Sequence, residues 1–128
     1  MDDMGIFYTT CGVENPLRPG EIATIQPVPV DTGAELSWFP APLLEALGIL
    51  RVKLARRFVS ANGTVLERSV GFAIVHAAGE FTNDEVVFGE PGDLTLLGAR
   101  TLEGLNVRVD LPNKQLVAAG PILAAAAA

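Results

Sequence analysis

The chain has 128 residues, 49% of them hydrophobic, enough for one compact domain with a core and too few for two. Fifteen acidic against nine basic residues give a formal net charge of -6, which disfavours nucleic acid or an anionic membrane as partner, because phosphates are gathered by clustered Lys and Arg. One cysteine, Cys11, cannot form an intramolecular disulfide. With the acidic start Met1-Asp2-Asp3-Met4 and no apolar run long enough to cross a bilayer, it points to a cytoplasmic protein.

Thirteen glycines and nine prolines punctuate short runs of Val, Ile, Phe and Thr, the pattern of a mainly β protein with many turns. In chain order, strands are expected at Gly5 to Cys11, Glu21 to Val30, Val52 to Ser60, Val65 to His76, Glu85 to Phe88, Thr95 to Leu97, Val107 to Leu111 and Gln115 to Val117. Two short helices fit between them. One runs from Pro42 to Leu47 with Gly48 as its C-terminal cap, and the other from Ala99 to Leu105, weakened by Gly104. Asn62-Gly63, between two strand-like runs, predicts a type I′ hairpin turn, since that dipeptide tolerates positive φ. The single domain is expected over residues 1–118, followed by an Ala-rich tail, 119–128, whose last alanines are expected to be disordered.

Arg51, Lys53, Arg56 and Arg57 are the only basic cluster, and read as the solvated face of a strand. The lone His76 should share a sheet face with Phe72 and Ile74, in a structural role, because zinc sites usually need three or four clustered ligands. No metal or organic cofactor is expected.

The unusual segment is Val28-Pro29-Val30-Asp31-Thr32-Gly33-Ala34, where a carboxylate directly follows an apolar strand. Burying an ionised carboxylate without partners is costly, and the glycine two residues later lets the backbone turn sharply beside it. Read alone, Asp-Thr-Gly is an ordinary turn. Further along, Leu94-Thr95-Leu96-Leu97-Gly98-Ala99 is a run of bulky aliphatics ended by glycine before a helix.

Together, the strand with Asp31-Thr32-Gly33, the glycine hairpin, and the later aliphatic pair with glycine resemble the retropepsin-like aspartic proteases and their small bacterial relatives. The resemblance spans about Glu21 to Leu111 and includes Trp38-Phe39-Pro40 with the helix leading to Leu47-Gly48-Ile49. It implies a closed β-barrel protomer with a flap hairpin. In it Asp31 is the catalytic aspartate, Thr32 interlocks two active-site loops, Gly33 holds the loop tight, and Leu97-Gly98 brace it from behind. Ala34, the flap residues Ser60, Ala61, Asn62 and Gly63, and Leu97-Gly98 would contribute to the substrate site. Because the family uses two aspartates and this chain has one such motif, the resemblance implies a two-fold homodimer hydrolysing peptide bonds.

The family commonly has Arg directly after the glycine of its second motif; here Ala99 stands there and Arg100 follows, leaving a pairing of Arg100 with Glu35 open. Ala34 offers no hydroxyl to the catalytic pair, so a mildly acidic to neutral optimum is expected. Glu35 and Ser37 read as structural or rim residues, and Trp38 as core. Apolar side-chain preferences are expected from Leu36, Trp38, Val59, Val65 and Leu96. Two alternatives stay open: a catalytically silent dimer that binds peptides, and a monomeric barrel that binds a small apolar ligand.

Overall fold

The computed structural model describes residues 7–125. Residues 5 and 6 of the first expected strand, and the last three alanines of the tail, lie outside the described residues. The protein is mainly β. Strands β1 (Tyr8–Glu14), β2 (Ile22–Pro29) and β3 (Ser37–Pro40) precede helix α1 (Ala41–Ala46). Then come β4 (Lys53–Val59), β5 (Val65–Ala77) and β6 (Glu80–Gly89), helix α2 (Ala99–Leu105), and the ribbon β7 (Val107–Asp110) and β8 (Gln115–Ala118).

One six-stranded sheet has the order β2-β1-β5-β6-β3, with β4 paired to β5; β7 and β8 form a separate antiparallel pair. Alternation sets its faces. In β5, Ala73, Val75 and Ala77 are buried while Phe72, Ile74 and His76 stand on the other side, as a period of two requires. The core gathers Val13, Val28, Phe39, Val75, Val86 and Phe88 from the strands with Leu44 and Leu105 from the helices. Pro27 and Pro29 both fall in β2, an edge strand, where a residue without an N–H costs no ladder bond on its open side.

The expected barrel does not close among the described residues. Its two would-be neighbours, β2 and β3, are joined only through single bridges, Val30 to Leu97 and Trp38 to Leu96. The expected strand at Thr95 to Leu97 is reduced to these bridges, because Gly98 and α2 follow at once and Pro29 and Pro40 end the strands it would join.

Two further strand expectations change. β3 was not among the expected strands; it pairs parallel with β6, from Ser37 opposite Val86 to Pro40 opposite Gly89. β6 begins at Glu80, five residues before its expected start, because Ala78 and Gly79 both take positive φ (54° and 78°) and turn β5 straight back into it. The hairpin joining β4 and β5 is present, but its turn is not type I′: Gly63 alone has positive φ, at 87°. Asn62 is held otherwise, its Oδ1 accepting from Thr64 N (3.0 Å) and Ser60 Oγ (2.6 Å). Gly48 caps α1 with φ 78° as expected, whereas α2 runs through Gly104 and ends at Asn106, φ 56°.

Candidate active site

Strand β2 carries buried Val28 into the core, and Val30 delivers the chain to Asp31 at the surface. The loop is set by its own backbone. Asp31 N–H donates to Leu97 O (2.9 Å), Ala34 N–H donates to Asp31 O (3.2 Å), and Gly33 N–H donates to Asp31 Oδ1 (2.9 Å). A Cβ on Gly33 would lie 3.2 Å from that same oxygen, so glycine lets the loop fold over the carboxylate. The Asp31 side chain is exposed rather than buried, as are Thr32 and Gly33. That placement removes the burial cost expected from the sequence and leaves the carboxylate open to solvent and solute.

The loop is clamped from behind. Leu97 N–H donates to Pro29 O (2.9 Å), Ala99 N–H to Ala34 O (2.8 Å), and Arg100 N–H to Glu35 O (3.0 Å). Leu97 and Gly98 are buried there and lie outside the groove described below. Gly98 is the point of closest approach, since a Cβ would sit 2.5 Å from Leu36 O and 2.9 Å from Ala34 O. Its N–H donates to Ser37 Oγ (2.9 Å), Ser37 is 2.5 Å from Thr101 Oγ1, and Thr101 donates to Asp84 Oδ2 (2.8 Å). All three side chains are buried. Ser37 thus belongs to a polar chain behind the loop, tying it to β6 and α2; its spacing from Thr101 and Asp84 gave no sequence signal.

In front of the loop is a groove of about 920 Å³. Asp31, Gly33 and Ala34 line it on one side, and Lys53, Arg56 and Arg57 of β4 with Ser60 and Ala61 of the hairpin on the other. Asn62 and Gly63, at the hairpin tip, do not reach it, and neither does Thr32. Apolar lining comes from Leu36, Trp38, Val59 and Leu96 as expected, and also from Phe58, Leu66 and Val70; Val65 is not among the lining residues. Trp38 packs edge-on against Phe58, ring centres 5.2 Å apart, so it serves the small cluster of Leu36, Val70 and Val87 and the groove wall together.

Four carboxylates line this groove, and three have cationic partners. Glu85 pairs with Lys53 and with Arg100 (2.6 Å), and these bonds, Lys53's first, hold its carboxyl below the usual range against the opposing effect of burial. Asp93 is gripped by both Arg68 Nε (2.7 Å) and Nη2 (2.9 Å), which likewise lowers its pKa. Glu35 lies 3.5 Å from Arg100, so the pairing left open by the sequence is made, with Arg100 shared between Glu35 and Glu85. Asp31 alone has no ion-pair partner among the described residues. On the other wall, Arg56 and Arg57 are exposed and also have none. Of the basic cluster, Arg56 and Arg57 are thus solvated residues of β4 that line the groove, whereas Lys53 is paired with Glu85, and Arg51, ahead of the strand and outside the groove, pairs with Glu45 (2.9 Å).

Away from the groove, His76 Nε2 meets Glu14 Oε1 at 2.7 Å, a structural link between β5 and β1. Gly20 N–H and then His76 keep the Glu14 carboxyl below its ordinary pKa. Burial pushes the Cys11 thiol up to about 12, where it is unreactive. Among the described residues, no three His, Cys, Asp or Glu side chains are grouped to hold a metal ion, and no helix is long and apolar enough to cross a membrane. No protein-family model matches the chain, and no curated protein matches its sequence.

Proposed function

We propose that the chain is one protomer of a homodimeric aspartic endopeptidase of the retropepsin-like kind, with Asp31 as its catalytic carboxylate. The observation that carries this reading is the placement of Asp31: an unpaired carboxylate on a glycine loop, clamped by Leu97-Gly98 and facing a hairpin across a peptide-sized groove.

One Asp31 is half of the chemistry, and a two-fold axis beside the loop would bring a second. Two carboxylates held that close cannot both ionise, so the pair shares a proton; aspartic proteases are the standard case. The ionised member takes a proton from a water lodged between them, and the water attacks the peptide carbonyl. The protonated member hydrogen-bonds the carbonyl oxygen as negative charge builds there. The β4–β5 hairpin covers an extended substrate, excludes bulk water and offers backbone groups to it. A reducing, cytoplasmic setting suits a chain whose one cysteine is buried.

The decisive test is cleavage of a broad peptide library between about pH 3.5 and 7.5 by wild type and by Asp31→Asn, with oligomeric state measured on both. Wild type should cleave best at mildly acidic to neutral pH, and Asp31→Asn should lose about 10²–10⁴-fold or more while remaining dimeric. A verified wild-type dimer that cleaves nothing would replace this reading with a peptide-binding module.

A further inference from the structure

The groove has a charge asymmetry that the overall composition hides. The chain is acidic, at -6, yet pairing within the groove consumes Glu35, Glu85 and Asp93 and leaves two guanidinium groups, Arg56 and Arg57, lining the cavity with no carboxylate within 4 Å among the described residues. Neither arginine is explained by the sheet that carries it. Arg56 stands directly across from Arg68, whose charge Asp93 already takes up, and so has no carboxylate directly opposite it. Arg57 lies across from Glu67 but makes no ion pair with it within 4 Å.

Neighbouring residues of a regular strand point to opposite faces, and β4 pairs with β5 in regular register from Arg56 onward, so Arg56 and Arg57 line the cavity from opposite faces of β4. The register slip lies upstream, between Lys53 and Arg56, where Ala55 sits at φ 54°. A bulge of this kind bends the strand without changing the alternation of the residues after it.

We propose that the groove selects extended peptides carrying acidic residues on the β4 side of the bond held at Asp31, with Arg56 and Arg57 as the selecting groups. This rests on the reading of the groove as a peptide cleft, and names the class of peptide it takes. The apolar floor of Leu36, Trp38, Phe58 and Leu96 receives hydrophobic side chains near the reacting bond. The two guanidiniums hold carboxylates further out, where a planar fork matches a carboxylate in two-point contact.

The test uses three matched peptide sets with one hydrophobic centre and flanks of Glu, Gln or Lys. Binding is measured by fluorescence anisotropy on Asp31→Asn, which holds peptide without turning it over, and cleavage is measured on wild type. Two exposed ion pairs predict that Glu-flanked peptides bind about threefold to thirtyfold more tightly than Gln-flanked ones, with Lys-flanked ones weakest. The preference should fade at 1 M salt, where charges are screened within about 3 Å. Arg56→Glu with Arg57→Glu should invert the order, whereas Arg108→Gln, on β7 outside the groove, should leave it unchanged. Cleavage or binding with no charge preference, or a preference that survives the double variant, overturns this inference and leaves the protease reading intact. Charge-selective binding without cleavage keeps the inference and removes the protease. Neither binding nor cleavage of any set removes both.

Discussion

At Gly98 the path of the backbone depends on the absence of a single carbon. Leu36 O and Ala34 O approach the point where a Cβ would stand, and both belong to backbone, which cannot swing aside as a side-chain end could. Gly98→Ala should therefore cost about 1–3 kcal/mol by overpacking, read as a lowered urea midpoint. The hydroxyl chain beneath it gives a companion test. Thr101→Val keeps the shape but leaves Asp84 and Ser37 short of a buried partner, for a loss of about 1–3 kcal/mol, whereas Thr101→Ser keeps the hydroxyl and should lose less. Equal losses in the two variants would mean that packing, not the polar chain, is what Thr101 contributes. Of these residues the sequence marked Gly98, through the aliphatic run before it. It read Ser37 as a structural or rim residue without its partners, and did not mark Thr101 or Asp84; the three are far apart in the chain and meet only once β3, β6 and α2 have packed.

At the scale of elements, the loop after β6 is pinned to β5 by Arg68 and Asp93, and the same carboxylate accepts the Glu90 N–H (2.7 Å). Asp93 has a lowered pKa in the folded chain. A carboxyl that is a stronger acid when folded adds stability above its unfolded pKa, about 3.9 for Asp, and that contribution is lost as pH falls through the lower folded value. Asp93→Asn should accordingly destabilise the protein at pH 7, and its urea midpoint should converge with that of wild type as pH drops below about 4. Parallel curves from pH 7 to pH 3 would show that the pair contributes nothing through charge. Most elements were legible in the sequence because alternation and glycine marked them: α2 has its expected span, and α1 and the β4–β5 hairpin are in place. Those that were not have local causes. The β5–β6 turn uses Ala78, an unlikely residue for positive φ, and β3 is a four-residue strand whose parallel partner lies far along the chain. Arg56 and Arg57 on β4 were legible as exposed, but not as groove lining, because other segments that line the groove, residues 31–36 and 93–96, lie far from them in the chain.

For the whole molecule, the proposed chemistry requires two copies, so the cleft should behave as a property of concentration. Specific activity should fall on dilution, in step with dissociation measured by light scattering. A monomer that cleaves peptides at full rate would remove the two-fold arrangement. The closed barrel expected from the family likeness fails at one seam, between β2 and β3, where Leu96 and Leu97 alone span the gap. The sequence showed both aliphatics but could not show that glycine and a helix would follow too soon for a full strand to form.

That seam also sets an order of events. Val30 and Leu97 are held together across about half the length of the chain, and the loop bearing Asp31 is shaped by the Leu97 carbonyl. Such a contact forms late, because closing a long loop costs entropy that only the finished contacts return. During synthesis, Asp31 leaves the ribosome long before Leu97 does. Whatever chemistry the carboxylate performs is therefore withheld from the nascent chain until the segment around Leu97 has been made.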